Sequence, residues 1–160
     1  MKKYILGIFL TMISGLIFWA CEEDDICTEN KTPELIIKLK NTTHPGETMD
    51  SLYVLRQDSK DEFTLIASGK GRDSISVPLP LKPSTETNLI FSRRKTTDQF
   101  LDVLKIKYKY STEYVSKACG FKAVYSDLSA TSSSHKFIKS IEILQHEVTD
   151  QNTAHILLTY

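Results

Sequence analysis

The sequence predicts an all-β domain: an antiparallel β-sandwich of about nine or ten short strands, placed after an N-terminal signal segment. Apolar and polar residues alternate with a period of two through most of the chain beyond residue 33, as they do in half-buried strands. Clusters of Ser, Thr, Asn, Gly and Pro separate these segments at short intervals, and helical periodicity is weak between them. Strands at such spacing without intervening helices are typical of a sandwich or barrel.

Nine segments carry the strand pattern, and the clearest is 102–110. Alternate residues are apolar there, so Leu104 and Tyr108 are expected on one side of the strand and the intervening lysines on the other. A run of Thr and Ser at 131–134 is predicted to be a surface loop. The predicted strands are 35–40, 52–57, 63–67, 74–77, 88–92, 102–110, 121–125, 137–145 and 154–160.

Residues 1–20 are predicted to be a signal peptide. Two lysines precede a nearly unbroken apolar run at 5–18, which is shorter than the ~20 residues that a membrane-spanning helix needs. The run leads into Phe18-Trp19-Ala20-Cys21, which resembles a bacterial lipobox, where a small residue precedes the cysteine that receives lipid. The resemblance implies cleavage after Ala20 and acylation of Cys21. An ordinary cleaved signal and an uncleaved N-terminal anchor are the alternatives.

Residues 21–33 are predicted to be a lipidated acidic tether. Directly after Cys21 comes an acidic cluster that resembles the surface-export signal of Bacteroidota lipoproteins. The cluster consists of Glu22, Glu23, Asp24 and Asp25. The resemblance implies a lipid-anchored protein of the outer membrane, surface-exposed in preference to facing the periplasm. The alternative is a solvated, extended spacer, because like charges repel along a chain.

Residues 34–160 are predicted to form one β-sandwich domain that is large enough to have its own core. The signal segment holds two of the 20 basic residues and none of the 20 acidic ones, so the chain from residue 21 onward has a formal charge of −2. A domain without a basic excess is not expected to bind nucleic acid.

Of the three cysteines, Cys27 and Cys119 remain once Cys21 carries lipid. Two thiols outside the cytoplasm are expected to pair, which predicts a disulfide between positions 92 residues apart. This bond would tie the tether to the domain six residues after the lipid. Free buried thiols are the alternative, and a redox role is not expected because the sequence has no Cys-x-x-Cys spacing.

The sequence carries no recognisable catalytic motif. Paired carboxylates, a Gly-x-Ser-x-Gly elbow and a phosphate-binding glycine loop are absent, so we expect a non-enzymatic protein without a cofactor. The last two strands are predicted to form a hairpin around 149–152, in which His146 and His155 lie opposite each other. These two residues are a weak candidate for a metal site, because no third ligand is evident from the spacing.

Three surface features are candidates for modification or binding. Ser51 and Ser74 each follow Asp and precede an apolar residue, and both tripeptides resemble the O-glycosylation sequon of Bacteroidota. The lysines at 105–109 are candidates for contact with acidic glycans or lipid headgroups, with solvation of an outer face as the alternative. The candidates for a sugar-stacking groove, with core packing as the alternative, are Tyr108, Tyr110, Tyr114 and Tyr125.

Several segments together resemble a family of uncharacterised Bacteroidota lipoproteins whose domain has no known function. They are Cys21-Glu-Glu-Asp-Asp-Ile-Cys27, Thr32-Pro-Glu-Leu-Ile-Ile37, Val77-Pro-Leu-Pro80, Tyr114-Val-Ser-Lys-Ala-Cys-Gly-Phe121 and Phe137-Ile-Lys-Ser-Ile-Glu142. The resemblance implies a lipid-anchored β domain. It supplies no activity, so no catalytic residue is transferred from it.

The leading hypothesis is a non-enzymatic envelope lipoprotein that acts at the outer membrane through contacts with a protein partner. A surface module that binds a glycan or another small ligand is the second hypothesis, and an unrecognised hydrolase is the third. The three require different surfaces: an exposed apolar or edge-strand patch, a concave aromatic cleft, or converging nucleophile, base and oxyanion donors.

Overall fold

The computed structural model describes Cys27 and residues 32–57, 62–82, 85–93 and 102–160. Over these residues the chain forms nine strands and no helix, which confirms the predicted all-β class. The strands are β1 Leu35–Lys40, β2 Leu52–Gln57, β3 Phe63–Gly69, β4 Ser74–Val77, β5 Glu86–Ser92, β6 Asp102–Ser116, β7 Gly120–Ser132, β8 Ser140–Ile143 and β9 Ile156–Thr159. Across the described ranges, the search for a helix with the length and hydrophobicity of a transmembrane segment finds none.

Two sheets pack face to face as a sandwich. The smaller sheet has the strand order β4-β1-β9-β8 and the larger sheet the order β3-β2-β5-β6-β7. The period-two pattern buries one side of each sheet, as in β1, where Leu35, Ile37 and Leu39 are buried and the residues between them are not. Fully buried side chains of this shared core include Leu35, Ile37, Leu89, Phe91, Leu104, Ile106, Tyr125, Leu128, Ile156 and Leu158.

One pair of strands departs from the predicted antiparallel arrangement. β1 and β9 are parallel, with Ile37 paired to Ile156 and Leu39 paired to Leu158. Every other pairing between described strands is antiparallel. β1 and β9 are the first and last described strands, so no hairpin turn connects them and imposes opposite directions.

The prediction of short strands is wrong for β6 and β7, which have 15 and 13 residues. β7 includes Thr131 and Ser132, which lie in the segment predicted to be a loop. The two strands pair with each other from Leu104 and Ser132 at one end to Ser116 and Gly120 at the other. Because each strand satisfies the backbone groups of the other, the hairpin continues beyond the end of β5.

The predicted alternation within 102–110 is confirmed, since Leu104 and Tyr108 are buried and Lys107 and Lys109 are exposed. The pairing of β6 with β7 shifts register between these two lysines, opposite Asp127, which has a φ of 52°. Such bulges add one unpaired residue, and Asp tolerates the left-handed conformation better than most residues.

Candidate functional site

The hairpin of β6 and β7, which we call the arm, has two halves with different surroundings. The inner half comprises residues 102–110 and 123–132, and one side of it packs in the core between the sheets. The outer half comprises residues 111–122, in which every residue is exposed or only half-buried. β5 pairs with β6 only as far as Lys107, so the outer half is a two-stranded ribbon.

Two aromatic side chains, Tyr114 and Phe121, face each other across the outer half. They are register partners, and their ring centroids lie 5.4 Å apart with the rings at 69°. Their exposed fractions are 59% and 69%. Tyr110 and Tyr125 are register partners on the same side of the arm, because alternate residues of a strand share a side. The core-facing side of the arm therefore continues outward as an exposed aromatic pair.

The chain before β1 contacts the arm at two described positions. Thr32 Oγ1 accepts a hydrogen bond from the backbone N–H of Ala123 at 3.0 Å. The sulfur atoms of Cys27 and Cys119 are 1.93 Å apart, which confirms the predicted pairing of these cysteines. Ala123 is the inner-half residue next to the outer half, and Cys119 lies in the turn of the arm. The N-terminal segment is thus attached to the tip of the arm.

The turn of the arm depends on a glycine. Gly120 has a φ of 69°, in the left-handed region that residues with a Cβ adopt at a cost. Ser116 Oγ accepts a hydrogen bond from the N–H of Cys119 at 3.1 Å, which closes the turn. Lys122 Nζ lies 3.3 Å from Glu113 Oε2, and both alternate with the aromatic pair and so occupy the opposite side.

A second exposed feature lies on the outer face of the larger sheet. Phe63 and Leu65 belong to the edge strand β3 and have exposed fractions of 46% and 43%. Leu65 is the register partner of Leu55, which pairs in turn with Ile90. Leu55 and Ile90 are buried but do not belong to the main core cluster. We call these four residues the apolar row.

A polar cleft of about 370 Å³ lies beyond the C-terminal end of β1. It has charged groups of both signs and one phenol, and burial raises the pKa of that phenol, Tyr160. Such a lining suits a small polar ligand. The polar residues that line it include Asn41, His44, Glu47, Arg93 and Tyr160.

At the base of the arm, a fully buried carboxylate organises the loop before β8. The Asp102 carboxylate accepts four hydrogen bonds of 2.8 Å, from Ser134 Oγ and from the backbone N–H groups of Lys136, Phe137 and Ile138. Burial alone would raise the pKa of Asp102, but these bonds favour the charged form and hold the pKa below its usual value. With its oxygens occupied in this way, Asp102 has a structural role.

His146 and His155 were predicted to face each other, but they are not register partners, so the predicted register of the last hairpin is wrong. The pairing of β8 with β9 stops at Ile143. His146 Nδ1 donates to the carbonyl of Leu128 at 3.0 Å. His155 is buried, and its Nδ1 accepts a hydrogen bond from the N–H of Ile36 at 3.0 Å. Burial lowers the pKa of His155, which favours the neutral ring that this bond requires.

The physical reason for the different register is the free edge of β7. Residues 146–148 leave β9 and pair with β7 instead, with Leu128 N donating to His146 O at 2.9 Å and Val148 N to Tyr125 O at 2.8 Å. This pairing satisfies backbone groups that an edge strand leaves open. Among the described residues, no group of three or more His, Cys, Asp or Glu side chains could hold a metal ion.

The structure also describes the two predicted O-glycosylation sites and the four tyrosines that were candidates for a sugar-stacking groove. Ser51 is half-buried just before β2, and Ser74 is the half-buried first residue of β4, with its Oγ donating to Asp73. A groove of four tyrosines is not formed, because Tyr108 and Tyr125 are buried with their ring centroids 5.2 Å apart. Core packing is the correct alternative for these two rings.

The predicted lipidation site and export signal lie outside the described residues. This applies to Cys21 and to the acidic cluster of Glu22, Glu23, Asp24 and Asp25. Acylation and surface export therefore stay predictions, as does O-glycosylation of Ser51 or Ser74.

Comparison with protein families gives one match. A model described as "Family of unknown function (DUF6452)" matches residues 46–160. The chain belongs to this family. The match contains β2 to β9, so the arm and the apolar row are parts of the DUF6452 region, whereas β1 and Cys27 precede it. Comparisons with curated proteins and with solved structures find no match.

Sequence reasoning did not find the aromatic pair or the polar cleft. A signal for the pair was present, because Tyr114 continues the even-numbered alternation of Tyr108 and Tyr110, and Phe121 directly follows a turn glycine. No such signal exists for the cleft, whose lining comes from separate loops and from Tyr160, which follows β9.

Proposed function

We propose that this protein is a non-enzymatic β-sandwich of the cell envelope, held at the outer membrane by lipid on Cys21 and acting through contact with a protein partner. The lipobox-like sequence and the acidic residues that follow it support the anchor. The Cys27–Cys119 pairing supports the same arrangement, because it holds the domain six residues from Cys21.

The observation that carries the partner contact is the apolar row. Phe63 and Leu65 are large, adjacent on one side of an edge strand, and nearly half exposed. Their register neighbours Leu55 and Ile90 continue the row across two more strands, where the side chains are buried, so Phe63 and Leu65 form its exposed end. A sheet edge with clustered apolar side chains suits a partner that adds a strand or packs an apolar segment against it.

The partner contact is tested by photo-cross-linking in intact cells. A benzoyl-phenylalanine in place of Phe63 is expected to capture a defined neighbour, and Leu65→Asp in the same chain should abolish the product. The matched control is the same probe at Leu81, an apolar residue that is 68% exposed and lies outside the row. Identical products from positions 63 and 81, or none from 63, would refute the partner contact.

The anchor is tested by Cys21→Ser. Because the proposed anchor consists of the acyl chains on Cys21, loss of this residue removes the whole anchor. The variant should therefore leave the membrane fraction, or its processing should be blocked. Continued membrane retention of a processed Cys21→Ser protein would contradict lipidation.

The polar cleft favours a second candidate function, binding of a small polar ligand such as a glycan. Arg93, Glu47 and Tyr160 offer donors and acceptors in one concave site. A glycan panel titrated against the protein and against Arg93→Ala tests it. Binding that Arg93→Ala leaves unchanged, or no binding at all, would remove this candidate.

A further inference from the structure

We infer that the tip of the arm enters the lipid–water interface of the membrane that carries the anchor, with Tyr114 and Phe121 as the inserted side chains. The domain would then contact the bilayer in two ways, through the acyl chains on Cys21 and through the aromatic pair. The inference rests on the proposed anchor, and it adds a specific orientation of the domain on the membrane.

The first argument is the direction in which the tether leaves the domain. Cys27 is bonded to Cys119 in the turn of the arm, with their Cα atoms 4.9 Å apart. Cys27 is six positions after Cys21, and six residue steps of extended chain span at most about 22 Å. The acyl chains must therefore enter the bilayer within that reach of the tip. The rest of the sandwich lies at the other end of the arm.

The second argument is the chemistry of the tip. Tyr114 and Phe121 are more than half exposed, although the next pair of rings on the same side packs in the core (Tyr125) or against it (Tyr110). Tyr combines an apolar ring with a polar hydroxyl, the combination that is enriched at membrane interfaces. Lys117 is exposed in the turn, and its long stem permits the ammonium group to reach the headgroups.

The third argument is the distribution of charge around the arm. The side that carries the aromatic pair also presents Thr112 and its inner-half partner Ala123, so this side of the outer half has no charged residue along the paired strands. Glu113 and Lys122 occupy the opposite side, where they form an ion pair. Insertion of the aromatic side therefore requires no charged group of these strands to leave water.

The test uses a tryptophan as the only reporter. The single tryptophan of the sequence is Trp19, in the predicted signal peptide, so the processed chain has none. We compare processed, lipidated Phe121→Trp with the matched control Phe63→Trp, whose site is exposed on the far edge of the same sheet. Each is reconstituted into phosphatidylcholine–phosphatidylglycerol vesicles with and without brominated acyl chains.

The expected result is that both variants float with the vesicles and that only the Phe121→Trp variant senses lipid. Its emission should shift to the blue and be largely lost in brominated lipid, whereas the emission of the Phe63→Trp variant should do neither. Failure of both variants to float would overturn the anchor as well as the inference.

Three other results would overturn the inference while the anchor stands. If both variants float and neither is quenched, the tip does not enter the bilayer. A blue shift of the Phe121→Trp emission without quenching would mean that protein, such as a second copy, covers the tip. Equal quenching of both variants would mean that the larger sheet, from β3 to the arm, lies against the bilayer.

Discussion

The two halves of the arm consist of the same two strands, yet they have opposite surroundings. In the inner half Tyr108 and Tyr125 meet edge to face at 5.2 Å and are 3% and 1% exposed. In the outer half Tyr114 and Phe121 meet at nearly the same distance and angle, but more than half of each side chain is exposed. Neighbouring positions on the two paired strands bring rings into contact in both halves, and the presence of an opposing sheet determines whether the rings are buried.

This difference assigns separate roles to the two halves. Apolar surface stabilises the fold only where it leaves water, so burial of side chains in the inner half contributes to stability. In the outer half the disulfide at Cys119 is expected to contribute, but the exposed side chains contribute little. Residues that are paired but uncovered remain available for contacts with another molecule. The comparison predicts that substitutions in the two halves separate cleanly, and the following experiments test this separation.

The largest effect is expected from removal of the disulfide. Replacing Cys27 and Cys119 by serine opens a loop of 92 residues, and chain-entropy estimates for loops of this size give a loss of about 4–5 kcal/mol in the free energy of unfolding. Denaturant titration of the oxidised protein and the double variant measures this loss. An unchanged midpoint would show that the tip is not held to the tether in solution.

The next largest effect contrasts the two aromatic groups directly. Tyr125→Ala leaves a cavity beneath two other rings and should cost about 3–5 kcal/mol, whereas Phe121→Ala should cost less than about 0.5 kcal/mol. Tyr125→Phe separates packing from the phenol, which donates to Pro80 O at 3.2 Å and should account for about 1 kcal/mol. Burial, with Tyr108 and Tyr110 nearby, also raises the pKa of Tyr125 to about 12. Similar losses for Tyr125→Ala and Phe121→Ala would break the comparison.

A smaller effect, of about 2–3 kcal/mol, is expected for Asp102→Asn at the base of the arm, because an amide cannot accept all four hydrogen bonds. The pKa of Asp102 is lower in the folded chain than the ~3.9 of an unfolded one. The unfolded state therefore binds more protons between these two pKa values. The contribution of Asp102 is complete above about pH 4 and is lost as the pH falls through the folded pKa.

The matched control for this acid dependence is Asp127→Asn in the same hairpin. Hydrogen bonding to Lys109 also lowers the pKa of Asp127, but both side chains are mostly exposed. Solvent screens ion pairs that are this exposed, so Asp127→Asn should leave the pH dependence of stability almost unchanged. When the free energy of unfolding is measured from about pH 2 to pH 7, its fall at acid pH should become smaller in Asp102→Asn and stay unchanged in Asp127→Asn. The same change in both variants would contradict the assignment of a structural carboxylate.

The local sequence pattern was sufficient to locate the strands. It was not sufficient to predict the full length of β6 and β7 or which strands pair. The bounds of β2 and β4 were predicted to the residue, because alternation and flanking turn residues are local signals. The length of the arm was missed because the pairing of β6 with β7 continues without a neighbouring strand, so no change of pattern marks the end of the sheet. The parallel pairing of β1 with β9 joins the first and last described strands and leaves no local trace.

The candidate sites show the same limit. The Cys27–Cys119 pairing was predictable because assigning Cys21 to lipid leaves two of the three cysteines to pair. The His146–His155 pair was predicted from a symmetric loop, and it failed because the free edge of β7 captured the chain after Ile143. Competition between two edges for one segment depends on tertiary structure, which a single hairpin does not encode.

The smallest effect is expected at the turn of the outer half, and it is a local one. Gly120 has a φ of 69° and open space around it, so Gly120→Ala adds only backbone strain, about 1–2 kcal/mol. Because the outer half buries no side chain, this strain should appear as faster amide exchange at 111–122, by roughly 5–30-fold, with exchange in the inner half unchanged. Gly120→Asn is the matched control, since Asn enters the left-handed region more easily and should give a smaller increase. If exchange rises equally in both halves of the arm, they unfold together. The outer half would then belong to the same cooperative unit as the inner half, and its exposed rings would not lie on an independently unfolding segment.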